Sequence, residues 1–74
     1  MTGQDPMRNL AGDELTPAEE ELVHTYRHLH RAIAMYGDEM APYQRRNGLK
    51  ALAAMWQVMN GLDMDPVQLY DVGA

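Results

Sequence analysis

Residues 45–62, RRNGLKALAAMWQVMNGL, constrain the fold more than any other stretch of the chain. Set on a helix at about 100° per residue, Leu49, Leu52, Met55, Trp56, Met59 and Leu62 fall on one side at three- and four-residue spacings. This is the stripe of a core-facing helix. Ala51, Ala54, Met55, Val58 and Leu62 form a second apolar set beside it, so the polar arc shrinks to Arg46, Lys50 and Gln57. One neighbouring helix covers one stripe. The second set therefore predicts contact with something more than a single partner helix.

That neighbour is encoded upstream. Leu22, Tyr26, Leu29, Ile33, Tyr36 and Met40 recur at spacings of 4, 3, 4, 3 and 4, a heptad-like seam along one side of a helix. Thr16-Pro17-Ala18-Glu19 starts this helix: a Thr N-cap, Pro at the first helical position, and Glu placed to reach back to the cap N–H. Gly37 is a natural stop and Pro42 a natural restart. A connection of about five residues between two long helices predicts an antiparallel hairpin. Asn47-Gly48 is a weak point within the second helix, costing ~1 kcal/mol of propensity, and Asn60-Gly61 is its expected end. Asp65-Pro66-Val67-Gln68 is a further start signal for a helix of one or two turns. So short a helix cannot stand alone, and Val67, Leu69 and Tyr70 must pack on the hairpin or on another molecule.

The expected fold is therefore all-α: a flexible arm at 1–14, a helical hairpin at 15–62, and a short helix with an acidic tail at 63–74. The expected helices are 17–36 and 42–60, with a third after Pro66 and no strand. Size argues that this unit is incomplete. A chain of 74 residues buries only about 60% of its unfolded surface and commonly needs a disulfide, a metal or a partner. With no cysteine, disulfides and most structural zinc sites are excluded, and association becomes the expected remedy.

The formal net charge is −5 and the sequence pI about 4.9, which argues against a general nucleic-acid or anionic-membrane binder. The average hides a pattern. The basic residues Arg27, Arg31, Arg45, Arg46 and Lys50 occupy the middle of the chain, between acidic ends. This arrangement suits the helix dipoles and also offers a cationic patch to an acidic partner. No run of 18 or more apolar residues occurs, so no membrane span is expected, and the N-terminal residues lack the apolar core of a secretory signal. The expectation is a soluble cytoplasmic protein.

Chemistry-bearing clusters are sparse. His24 and His28 lie four apart on one helical face, with Glu20, Glu21 and His30 nearby, which is the raw material of a metal site. Di-iron bundles need further carboxylates from the facing helix, however, and residues 41–62 contain neither Asp nor Glu. Thr25 stands where a zincin would carry Glu. Nucleophilic catalysis lacks a nucleophile: there is no Cys or Ser, and Thr2, Thr16 and Thr25 fall in the tail, at a cap and on a helix flank. Neither a catalytic residue, a resident metal nor a cofactor is expected. Arg45, Arg46 and Lys50 resemble the cations of a helix-turn-helix, but their helix must bury Leu49, Leu52, Trp56 and Met59.

The sequence reads best as a non-catalytic protein–protein interaction module, an accessory or regulatory subunit or a homodimer. Its expected contact residues are Ala51, Ala54, Met55, Val58, Leu62, Leu69 and Tyr70. A nucleic-acid-associated regulator using Arg45, Arg46 and Lys50 is the alternative, followed by a metal-binding helical protein using His24 and His28.

Overall fold

The computed structural model describes residues 7–64. It is all-helical: α1 spans Pro17–Tyr36, a 3-10 turn covers Gly37–Glu39, and α2 spans Pro42–Leu62. Among the described residues there is no strand, only one isolated antiparallel bridge between Arg8 and Glu14. No described helix is long and apolar enough to cross a membrane. The short C-terminal helix expected after Pro66, with Leu69 and Tyr70, lies outside the described residues.

Helix α1 begins where local chemistry demands. Thr16 Oγ1 accepts from the Glu19 N–H at 3.1 Å while the Thr16 N–H donates to Glu19 Oε1 at 2.8 Å, completing a capping box. Thr16→Ala removes half of it. The expected loss is about 1 kcal/mol, seen as a fall of roughly 4–8 °C in melting temperature. At the start of α2 the box is one-sided: the Ala41 N–H donates to Gln44 Oε1 at 2.9 Å, and alanine has no side-chain acceptor to return the bond.

Helix α1 ends at Tyr36 as expected, but the conformation of its cap and the end of α2 depart from the sequence expectation. Gly37 is not a left-handed stop; its φ of −55° is right-handed. It leaves room instead, because a Cβ there would lie 3.2 Å from Arg45 Nε and that side chain would have to give by a small shift. Helix α2 runs unbroken through Asn47-Gly48 and passes Asn60-Gly61 to reach Leu62. Its cap is Asp63, at φ 61°, a left-handed conformation that Asp tolerates better than most residues. The Asp63 N–H donates to Asn60 O at 3.1 Å and the Met64 N–H to Met59 O at 3.3 Å, which satisfies carbonyls the helix leaves open. The extra half-turn brings Leu62 and Met64 to the core.

Contacts between the helices run in opposite sequence order. Gly37 lies beside Arg45, Ile33 rests over Gly48, and the rings of Tyr26 and Trp56 are 6.2 Å apart. Val23, Tyr26 and Met59 are fully buried and join Leu15 and Met64 in the core. The seam expected on α1 is therefore displaced. Tyr26 and Ile33 belong to it as expected, but Leu22 is 38% and Tyr36 53% exposed; the buried Val23 and Gly37 take their places, and His30 is half-buried as Leu29 is. Val23, Tyr26, His30, Ile33 and Gly37 recur at spacings of 3, 4, 3 and 4, so two adjacent stripes share two residues. Packing selects the stripe that ends on a glycine and so admits Arg45 closely.

Gly48 on α2 lies against Ile33 of α1. An added Cβ would meet Ile33 Cδ1 at 3.3 Å, so Gly48→Ala forces a small shift of that side-chain tip. It should return less than the ~1 kcal/mol of helix propensity that glycine forgoes. Gly48→Val, with two more carbons in the same gap, should lower the urea midpoint.

Of the segment expected as a flexible arm, residues 7–14 fold back on the helices. The Leu15 N–H donates to Met7 O at 2.9 Å, and the Leu10 N–H donates to Asp63 O at 2.8 Å. The Met7 N–H donates to Glu20 Oε2 at 3.3 Å. Gly12, at φ 88°, turns the chain within this loop. Met7 packs against the core.

Candidate interaction surfaces

Helix α2 carries an apolar flank on each side of its buried stripe. On one flank the structure leaves Ala51, Ala54 and Val58 exposed, whereas Met55 and Leu62, expected in the same set, are half-buried and pack against the core. The face available to another molecule is thus narrower on α2 than the sequence suggested. It is extended from α1. Leu22, Leu29 and Tyr36, seven residues apart, form the partly exposed stripe that the seam left behind. Ile33 is a helical neighbour of Leu29 and Tyr36 and rests over Gly48, the neighbour of Ala51. That contact sets the two stripes on the same side of the helix pair.

The other flank is a trough. Its upper part, about 850 Å3, is lined by Met40, Pro42, Leu49 and Ala53, with Arg45, Arg46 and Lys50 supplying the charge. Its lower part, about 350 Å3, shares Leu49 and Ala53 and continues to Leu52, Trp56 and Gln57. Three of the five expected basic-patch residues therefore converge. Arg27, half-buried, and Arg31, exposed, stand on α1 and do not line the trough.

Sequence reasoning missed the aromatic stack beneath this trough. Tyr26 stacks on His30 with centroids 6.4 Å apart and planes 22° from parallel, and meets Trp56 at 6.2 Å and 39°. The signal for His30 is its place four residues after Tyr26 and three before Ile33, on the buried side of α1. His24 and His28 are exposed. Among the described residues no three His, Cys, Asp or Glu side chains gather where they could hold a metal ion.

The chain matches no family model, and no curated protein and no solved structure matches it either.

Proposed function

We propose that the chain is a non-catalytic helical interaction module. In this reading an antiparallel hairpin with a short C-terminal helix is completed by a second copy or by a larger protein, which it serves as a cytoplasmic accessory or regulatory subunit. One observation carries the reading: the apolar surface left uncovered is large for so small a core. Among the described residues Leu15, Val23, Tyr26, Met59 and Met64 are buried, while Met35, Tyr36 and Tyr43 are each more than half exposed and Leu22, Leu49 and Val58 more than a third. Apolar patches of unusual extent on small proteins mark interfaces.

The contact proposed runs through Ala51, Ala54 and Val58, bordered by Met55 and Leu62 and continued by Leu22, Leu29 and Tyr36, with Leu69 and Tyr70 as further contacts. The alanines favour close approach, toward the short end of the 8–10 Å range of helix separations. Self-association makes the melting temperature rise with protein concentration, and a hetero-complex makes a second protein co-purify from the native cell. A melting temperature independent of concentration, in a chain that purifies alone, overturns the proposal.

A further inference from the structure

The trough on the opposite flank of α2 is not used by that contact, and its chemistry is different. It follows α2 from Pro42 to Gln57, a length of about 22 Å at 1.5 Å per residue, or about four helical turns. Its floor is apolar throughout, with Leu49 41% exposed at the centre. Its charge sits in one half, the half nearer Pro42. Arg45, Arg46 and Lys50 line the upper part, and among the described residues none of them forms an ion pair with a carboxylate. Among the described residues Asp38 is the sole acid lining that end, and none of those lining the lower part is charged.

We infer that this trough is a docking site for an amphipathic helix of a partner protein, one that carries Asp or Glu at one end and large apolar residues along the rest. A long apolar groove is the receptor half of the helix-in-groove mode, read by side chains at i, i+3, i+4 and i+7. The three cations add what an apolar groove lacks, a polarity that fixes which end of the ligand goes where. Arginine forks bind carboxylates in paired hydrogen bonds, so acids at that end hold register as well as charge. Nucleic acid fits less well, because phosphates gain nothing from Leu49, Ala53 and Trp56, and a chain of net charge −5 repels a polyanion beyond the local patch. The inference stands apart from the proposed contact through Val58, since it uses other residues.

A displayed library of helical peptides of about 15 residues, matched to the trough at 1.5 Å per residue, tests it when panned against the full chain. The expected winners carry acids clustered at one end and apolar residues at helical spacing along the other. The strongest is then synthesised and titrated while following the fluorescence of Trp56, the single tryptophan. Arg46→Glu/Lys50→Glu should weaken its binding by about tenfold or more, as should Ala53→Glu in the floor. All three positions are exposed, so these variants should keep the wild-type circular dichroism and melting temperature. Val58→Glu should leave peptide affinity unchanged, which separates this inference from the reading of the other flank. Winners without acidic bias, no winners at all, equal affinity for the double variant, or displacement of the peptide by an equimolar DNA duplex each overturn it.

Discussion

Tyr26→Ala leaves the isolated chain largely unfolded. Tyr26 is 1% exposed, joins Val23 and Met59 in the core, stacks on His30 and meets Trp56 at a tilt. Deleting a large buried aromatic costs about 3–5 kcal/mol through lost transfer energy and the cavity left behind. A domain of this size has about that much stability in total, so the helical circular dichroism and the cooperative melt should both collapse at room temperature. Trp56→Ala should cost less, because Trp56 is half-buried and borders the trough. Collapse in Trp56→Ala together with a normal melt in Tyr26→Ala would mean that the core is centred elsewhere.

What was legible in the sequence was local. The capping box at Thr16 and the proline at position 42 place both helix starts to the residue, because each depends on groups within one turn. The helix ends were harder. Asn60-Gly61 is a better stop signal than Leu62-Asp63, yet α2 continues because the further half-turn packs Leu62 against the core and buries Met64, a gain that exists only once the rest of the chain is in place. The same reason explains residues 7–14. Their composition is that of a tail, but Met7 and Leu10 are held by partners at Glu20 and Asp63 that no local pattern announces.

The buried stripe of α1 was ambiguous rather than hidden. Leu22, Leu29 and Tyr36 are larger than Val23 and Gly37, and periodicity alone prefers size. Close packing against Arg45 and Gly48 prefers the stripe that can approach. The displacement matters for function, since it delivers Leu22 and Tyr36 to the surface beside Ala51 and Val58. The trough could not be read from the sequence at all, because it needs the 3-10 turn to set Met40 beside Arg45, Leu49 and Ala53.

Val58→Glu should abolish association and leave the helix pair intact. Val58 is 36% exposed, so a carboxylate there stays hydrated in the separated chain, and glutamate is a good helix former. In the assembled state the same carboxylate is desolvated and unpaired, at a cost on the order of several kcal/mol. That corresponds to a loss of affinity of about a hundredfold or more, with little change in the melting temperature of the monomer.

Sedimentation velocity of the wild-type chain and Val58→Glu, with pull-down of each from native lysate, measures this directly. The wild type should sediment as a dimer or hold a partner protein, and Val58→Glu should be a folded monomer that has lost it. If both chains are monomeric, equally stable and hold the same proteins, the exposed flank of α2 is not an interface.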